Sequence, residues 1–567
     1  MSVPRIVTRN VPQAAFDLLS ASGMHPILAR IYAARGISGA QQLDTSFNGL
    51  APFERLRNCV TMAQLLADAI AAKQRLLIVA DYDADGATAC ALGMIALQSF
   101  GAQVEYLVPN RFEYGYGLTP EIVALAAARR PDFLITVDNG IASIDGVAAA
   151  SELGIRVLIT DHHLPAAQLP AAACIVNPNQ PGCDFPSRNL AGVGVMFYVL
   201  LALRAELRAR RWFGGRDEPN LADLLDLVAL GTVADVVRLD DNNRILVDQG
   251  LKRIHAGRVR PGIAALLRVG GRDTAGVSAH DLGFVVGPRL NAAGRLTDMS
   301  IGIECLLAND GGRAAELAGR LDTLNRERRD IEGGMQETAL TLLEQFTPAD
   351  TYSLSLYDSG WHQGVVGIVA ARLRERFHRP VIAFAPGGGG EAKGSGRSIP
   401  GLHLRDALDL VSKRHPGLIL RFGGHAAAAG LTVRSVDITA FENAFEKTIR
   451  ELLTPADLER VIETDGSLQP DDIGLPLAEL LAAQVWGQGF APPSFWGEFE
   501  VNQQKVVGGR HLRLRLRRGP ADPVFNAILF GRETSLPSRV AATYRVQVND
   551  FNGLRSVQLV LDHWQPV

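Results

Sequence analysis

The sequence predicts an α/β protein built as a parallel-sheet domain, a long connecting helix, a smaller second α/β domain and a C-terminal all-β barrel. Three observations predict it. Between residues 76 and 160, short apolar runs alternate with helical stretches, the pattern of β-α-β units and a parallel sheet. Residues 312–346 are charged at helical spacing and long enough to join two domains. The last hundred or so residues alternate in strand fashion between turn signals, as a barrel would. A chain of 567 residues has room for several such parts.

Residues 1–70 are mixed and read as mostly helical. LLIVA (76–80) is a buried strand. It leads into DYDADG (81–86) and a helix across 87–100. VEYLVP (104–109) is a second strand, followed by NRFEYGYG and a helix from about Pro120. FLITV (133–137) is a third; it ends in Asp138-Asn139-Gly140, with a helix from near Ala142. RVLIT (156–160) is a fourth and ends in Asp161-His162-His163. LAGVGVMFYVLLAL (190–203) is too short to span a bilayer, stops at Arg204 and reads as a buried helix. LADLLDLVALGTVADVV (221–237) is an apolar helix expected to break at Gly231 and then present Asp235. The connecting helix has a weak point at Gly333-Gly334. Strands near 352–357 and 380–385 open the second α/β unit, which carries GGGGEAKGSGRS (387–398) and RFGGHAAAAG (421–430). The expected divisions are 1–70, 71–310, 311–348 for the connecting helix, 349–455 and 456–567.

Apolar content of 47% and charged content of 21% fit a soluble globular protein. The net charge of −3, from 57 basic and 60 acidic residues, argues against a uniformly basic nucleic-acid coat but leaves local patches open. The five cysteines (59, 90, 174, 183, 305) show no C-x-x-C spacing, so a reducing, cytosolic compartment is expected. MSVPRIVTRN has no apolar signal core, and no membrane partner is expected.

DYDADG looks like the first half of a calcium loop. That reading needs a bidentate glutamate at position twelve, where Leu92 stands, and a helix rather than a strand in front. The carboxylates instead lie between a strand and a helix, where open parallel sheets bind ligands. Three of the four strands end in metal-ligand residue types. The candidates are Asp81, Asp83, Asp85, Asp138, Asp161, His162, His163 and Asp235. A carboxylate-rich set with imidazoles suits Mn²⁺ or Mg²⁺ better than Zn²⁺ or copper. No cysteine joins it, against a structural zinc. So many acids repel one another without cations. Two metals roughly 3.5–4 Å apart, sharing one carboxylate, would relieve this and neutralise charge building on a phosphoryl group. An Asp after a strand is often only a helix N-cap. That alternative is strong for any one Asp and weak for the whole set.

DYDADGATA, TVDNG, TDHHLP and GTVADVV, in this order, resemble the four motifs of the DHH phosphoesterase superfamily. Within it the RecJ family of single-strand-specific 5′→3′ exonucleases is most similar. GPRLNAAGRL (287–296), GWHQGVVGIVAARL (360–373), GSGRSIPG (394–401) and FGGHAAAAGL (422–431) resemble that family's inter-motif region and DHH-associated domain. The resemblance covers nearly the whole chain. It implies a DHH catalytic domain over 71–310, a DHH-associated domain over 349–455 and an OB-fold over 456–567. Asp83, Asp138 and Asp235 would hold one cation. Asp85, Asp138 and His162 would hold the other, with Asp138 bridging. Asp161 would orient a ligand from behind, and His163 would lie against the scissile phosphate. Asp81 stays open. Ala80, where glycine is expected, and Arg238, where proline is usual, depart from the pattern without touching a ligand. The resemblance also implies two divalent cations, Mn²⁺ preferred or Mg²⁺. It implies single-stranded DNA with a free 5′ end, threaded between the two α/β domains and cut to 5′-mononucleotides in DNA repair and recombination. A single-stranded-DNA-binding protein and a RecQ-type helicase are expected partners, with a monomer in the bacterial cytoplasm.

For substrate, Arg111 follows a strand end and could meet a phosphate bidentately. Tyr114 and Tyr116 beside it could stack on bases, or simply pack on their own domain. The glycine-rich loops GSGRSIPG and GGHAAAAG could offer N–H groups to an anion. Ser395, Arg397 and His425 are therefore assigned to the 5′ end, and Arg289 and Arg295 to the DNA backbone. In RHLRLRLRR (510–518), Arg513, Arg515 and Arg517 alternate with leucines, one face basic and one apolar. Residues 501–567 hold ten Lys/Arg against four Asp/Glu, a local balance of +6. A basic barrel suits an OB-fold gripping a single strand; the plain alternative is an edge strand defended by charge.

Two rivals remain. A small-molecule phosphodiesterase of the same superfamily is disfavoured by the length and by RHLRLRLRR. A catalytically dead scaffold is disfavoured because every motif ligand is present.

Overall fold

The computed structural model describes residues 4–114, 116–215, 217–343, 351–551 and 554–567. The chain forms two compact units, Met1–Arg9 with Arg326–Thr464, and Asn10–Asn325 with Asp465–Val567. Strand β1 (Arg5–Thr8) belongs to the first. The rest of the stretch up to residue 71 has two helices, Gln13–Ala21 and Pro26–Ala33, then irregular chain with short helical turns, and ends in the helix Cys59–Ala71.

The second unit opens with a five-stranded parallel sheet. Its strands are β2 (Arg75–Ala80), β3 (Gln103–Leu107), β4 (Phe133–Val137), β5 (Arg156–Thr160) and β6 (Cys174–Val176), in the order β3-β2-β4-β5-β6. Side chains alternate across it. Leu77, Val79, Leu134 and Val157 pack on one face, Leu76, Ile78, Ile135 and Leu158 on the other. Helices cover both faces, so the inner strands β2, β4 and β5 are nearly continuous apolar runs, while the edge strand β3 exposes Gln103 and Glu105. The register is even: Ala80 faces Val137 and Val137 faces Thr160. The next residues in the chain are Asp81, Asp138 and Asp161. Three neighbouring strands thus deliver an aspartate to the same edge.

All but the first two residues of the apolar segment 190–203 lie in a buried helix, Gly192–Ala209. The expected break at Gly231 does not occur; the helix Leu225–Ala234 runs through it. Gly231 is there for close packing. A Cβ would sit 2.2 Å from Thr88 Oγ1 and 2.7 Å from Val193 Cγ1. The helix Gly311–Leu342 likewise continues through Gly333-Gly334; residues 344–348 of the expected connecting helix lie outside the described residues.

In the first unit, β7 (Leu354–Tyr357), β8 (Val381–Gly388), β9 (Glu391–Arg397), β10 (Arg421–Gly424) and β11 (Ala428–Arg434) form a sheet ordered β10-β11-β9-β8-β7. Only β7 and β8 run parallel, joined by the helix Val366–Phe377. The glycine-rich segments expected as loops are largely strands β9, β10 and β11, and their N–H groups serve the sheet ladder. Glycine is required at 394, where a Cβ would meet the Phe384 ring at 2.5 Å. Strand β12 (Val461–Thr464) pairs in parallel with β1.

Back in the second unit, β13 (Phe495–Val507), β14 (His511–Arg517), β15 (Phe525–Phe530), β16 (Arg539–Phe551) and β17 (Leu554–Pro566) close a barrel, β13-β14-β15-β17-β16. On β14 the leucines are buried and Arg513 and Arg515 exposed, as the alternation predicts. Among the described residues no helix is long and apolar enough to cross a membrane.

Candidate metal centre

The edge of β2, β4 and β5 gathers every acidic and imidazole candidate. Asp83 is the N-cap of the helix Ala84–Ser99: its Oδ1 accepts N–H bonds from Asp85 (2.9 Å) and Gly86 (3.0 Å). Asp85 does the same for the buried helix Gly192–Ala209, accepting from Gly192 (2.6 Å) and Val193 (2.8 Å). The N-cap alternative therefore holds for Asp83, while Asp85 bonds the first turn of another helix, and both still face the cluster. Asp138 follows β4 in a left-handed conformation, φ 63°. It fits only because residue 192 is glycine; a Cβ there would stand 2.7 Å from that of Asp138. Asp235 caps the end of the helix Leu225–Ala234.

His162 lies at the centre. Its Nε2 stands 3.0 Å from Asp138, 3.5 Å from Asp235 and 3.9 Å from Asp85. Three groups bring ligand atoms within 4.8 Å of one another: Asp138, His162 and His163; Asp85, His162 and Asp235; Asp81, Asp83 and Asp138. The expected pairing of Asp235 with Asp83 differs from this arrangement. Asp81 takes that place, and Asp235 joins Asp85 and His162. Asp138 belongs to two of the groups, as a bridging carboxylate would.

Crowding of the carboxylates sets the electrostatics of the cluster. Burial, then the charge of Asp83, pushes the Asp85 carboxyl up to about 7. Burial and the charges of Asp85, Asp83 and Asp81 push Asp138 well above the carboxylate range, and withdrawal from water with the same neighbours does so for Asp235. Asp138 is 1% exposed, and apart from the ion-pair contact with His162 neither of its oxygens accepts a hydrogen bond among the described residues. A buried polar atom left this way is costly. Oxygen donors with one central imidazole are the set that Mn²⁺ or Mg²⁺ takes, so the residues present fit a divalent cation pair.

Asp161 is of another kind. Its oxygens accept the N–H groups of Ile141, His162 and His163 and meet His163 Nδ1 at 2.8 Å. Burial alone would raise its pKa, but the bond to His163 and the charge of both histidines outweigh this and hold it below the usual range. Burial would likewise lower His163, yet Asp161 carries it up to about 9. Asp161 thus positions His163 rather than His162.

The surrounding residues were only partly foreseen. Asn177 donates to the carbonyl of His163 (3.0 Å) and Asn179 to that of His162 (2.6 Å), which fixes the histidine loop. The N-P-N sequence after the short strand β6 is the signal for them. GPRLNAAGRL clamps the first loop. Asn291 Oδ1 accepts from Ala84 N at 2.8 Å, and Gly294 rests on the carbonyl of Tyr82.

The substrate candidates divide. Tyr116 is half exposed, and its hydroxyl lies 3.1 Å from His163 Nδ1 rather than pointing its ring outward alone. Tyr114 packs half-buried against the cluster of Leu77, Val79 and Leu118. The side chain of Arg111 lies outside the described residues. Arg289 is largely buried, in an ion pair with Asp322 at 2.8 Å, so its expected DNA contact is replaced by a structural one. Arg295 is half-buried on the helix Gly287–Leu296. In the other unit, Ser395 and Arg397 meet at 3.1 Å beside Gly367, at the start of the helix Val366–Phe377. His425 is exposed on the turn between β10 and β11. Arg517 pairs with Glu500 at 2.8 Å, unlike Arg513 and Arg515.

The same regions match known families. Residues 75–232 match the DHH family N-terminal domain, 350–452 the DHHA1 domain and 464–563 the RecJ OB domain. The chain is 53% identical to the single-stranded-DNA-specific exonuclease RecJ of Dickeya dadantii, over 95% of this chain and 96% of that one. It is similar to the crystal structure of RecJ in complex with Mn²⁺ from Thermus thermophilus, with TM-score 0.82 and 29% identity, over 99% of this chain and 79% of that one. The Mg²⁺ complex of the same protein gives TM-score 0.76 and 28% identity, over 99% and 78%. Identity of this extent, with all three family regions in one chain, means that the protein belongs to the RecJ family.

Proposed function

We propose that this protein is a single-stranded-DNA-specific exonuclease that removes 5′-mononucleotides from a free 5′ end with two divalent cations, Mn²⁺ preferred or Mg²⁺. The observation that carries this reading is Asp138: a buried carboxylate beside His162, with no hydrogen bond among the described residues, shared by two ligand groups at the edge where three strands end. Asp81, Asp83, Asp85, Asp138, His162 and Asp235 would hold the cations. When bound, the pair supplies charge neutralisation at the phosphoryl group and activates the attacking water. His163, kept protonated by Asp161, stands ready to face the scissile phosphate. Asp161, Asn177 and Asn179 hold the two imidazoles in place. Ser395 and Arg397, beside a helix N-terminus, suit a terminal phosphate. Arg513 and Arg515 suit the strand's backbone. A role in DNA repair and recombination, a bacterial cytoplasmic location, a monomeric state and cooperation with a single-stranded-DNA-binding protein and a RecQ-type helicase belong to the same proposal.

The test is digestion of a single-stranded oligonucleotide labelled at either end in turn, with Mn²⁺ or EDTA, beside a blunt duplex. Progressive release of mononucleotides from the 5′ end, a spared duplex and silence in EDTA are expected. Cleavage confined to dinucleotides, or tight binding without cleavage, would overturn the reading.

A further inference from the structure

Beside Asp235 lies a surface that the chemistry above does not use. A π-helical turn, Leu282–Val286, precedes the helix Gly287–Leu296. Such turns are rare and often mark functional sites. Here two glycines let the turn press on the helix that ends at Asp235. A Cβ at Gly283 would stand 3.0 Å from Val233 Cγ1, and one at Gly287 3.1 Å from Ala234 Cβ. Between those glycines the turn presents Phe284, 67% exposed. A lone exposed phenylalanine would be unremarkable. This one stacks on the imidazole of His280, with ring centroids 4.5 Å apart and planes 19° from parallel. One face of the phenyl ring is backed and its orientation fixed, while the other faces solvent. A second exposed apolar side chain, Val236, directly follows Asp235 in a left-handed conformation (φ 61°). That conformation is strained for a β-branched residue and is held by its surroundings.

The charge of the basic barrel is felt at the same spot. Arg545 on β16, held by Asp562 at 2.9 and 3.0 Å, acts on His280 together with Arg272. Burial, against the opposing charge of Asp281 and with the help of these two cations, holds the imidazole below its ordinary value. A backed aromatic face in the field of arginines, on a turn packed against the helix that ends at Asp235, fits the nucleobases of single-stranded nucleic acid, which stack on aromatics whatever their sequence.

We propose that the stacked His280–Phe284 pair is a platform for a base of the single-stranded substrate, holding the uncleaved strand between the barrel and the acidic centre. This rests on the exonuclease reading. The test compares wild type with Phe284→Ala, Phe284→Leu and Phe284→Tyr. Binding of a fluorescein-labelled 20-nucleotide oligo-dT is followed by anisotropy in EDTA, where nothing is cleaved, and KM and kcat are measured in Mn²⁺. Phe284→Ala is expected to weaken binding and raise KM about tenfold or more, the range for losing one stacked base. Its kcat should stay within about twofold, Phe284→Tyr should restore binding and Phe284→Leu should not. Unchanged binding by Phe284→Ala, or full rescue by leucine, would overturn the platform. Absence of any cleavage by the wild type would instead fault the exonuclease reading, and the binding series would still decide the platform.

Discussion

Gly231 lies against Asp85: a carbon added at residue 231 would stand 3.0 Å from Asp85 Oδ1 and 2.2 Å from Thr88 Oγ1. Asp85 in turn caps the buried helix Gly192–Ala209 and faces His162. Gly231→Ala must therefore push on a carboxylate with two fixed partners. Overpacking of this kind costs about 1–3 kcal/mol, and the displaced carboxylate should reduce Mn²⁺-dependent cleavage severely. Melting temperature and turnover measured side by side would check this; an alanine variant indistinguishable from wild type would show that the approach can relax.

Asp138 allows a cleaner substitution than most buried acids. Its left-handed backbone suits asparagine, whereas alanine would add strain. Asp138→Asn removes an acid that burial and its carboxylate neighbours resist ionising, so in EDTA its melting temperature should equal or exceed that of wild type. The gain on adding Mn²⁺ should vanish with the activity. For wild type that gain corresponds to about 2.7 kcal/mol when the cation is 100-fold above its Kd. Thermal melts with Mn²⁺ and with EDTA separate the outcomes; a normal Mn²⁺ shift in the variant would exclude Asp138 as a shared ligand.

Much of this centre was legible because strand ends announce themselves. LLIVA, FLITV and RVLIT each stop at an aspartate, and a parallel sheet puts strand ends on one edge. The pairing of ligands was less legible. Whether Asp81 or Asp235 joins Asp83 depends on how the helix Leu225–Ala234 crosses the sheet edge, which no local pattern encodes. Gly231 misled for a related reason. A helix-interior glycine reads as a break, but the helix tolerates its intrinsic cost of about 1 kcal/mol because tertiary packing at Asp85 leaves no room for a side chain. Arg289 looked like a DNA contact for want of its partner, Asp322, which lies 33 residues away.

Asp161 should matter through His163. Asp161→Asn replaces an acceptor of several N–H groups and removes the charge that keeps His163 protonated. Losing a carboxylate that orients a functional imidazole typically costs about 10–100-fold in activity or metal affinity. The loss is expected in kcat more than KM, with Mn²⁺ still raising the melting temperature. If KM alone changed, the residue would be acting on binding instead.

The segment carrying Phe284 should loosen in acid. Burial raises Asp281, but bonds from Ser278 N–H and Oγ and from Arg272 Nε (2.6 Å) outweigh it and hold its pKa below the ordinary value. A carboxylate depressed on folding contributes stability above its unfolded pKa, near 4, and loses it as pH falls through the folded value. Asp281→Asn should therefore melt lower at pH 7 and approach wild type as the pH falls below the ordinary carboxylate range. Parallel pH–melting curves for the two proteins would contradict the assignment.

Arg513 and Arg515 make the last distinction, between a nucleic-acid grip and a charged edge. Both are exposed on β14, which pairs on both sides, with β13 and β15, so this strand has no free edge for charge to defend. Lys505 of β13 stands opposite Arg513, a like-charge neighbour that folding alone would not favour. Reversal at both positions, Arg513→Glu with Arg515→Glu, should leave the melting temperature nearly unchanged or slightly raised. It should weaken single-strand binding, most at low salt. Each arginine–phosphate pairing that the reversal abolishes should flatten the plot of log affinity against log salt by about 0.7. Binding titrations between 50 and 200 mM salt give that slope directly. A weaker affinity with an unaltered slope would mean that the arginines act on barrel structure and do not touch the DNA backbone.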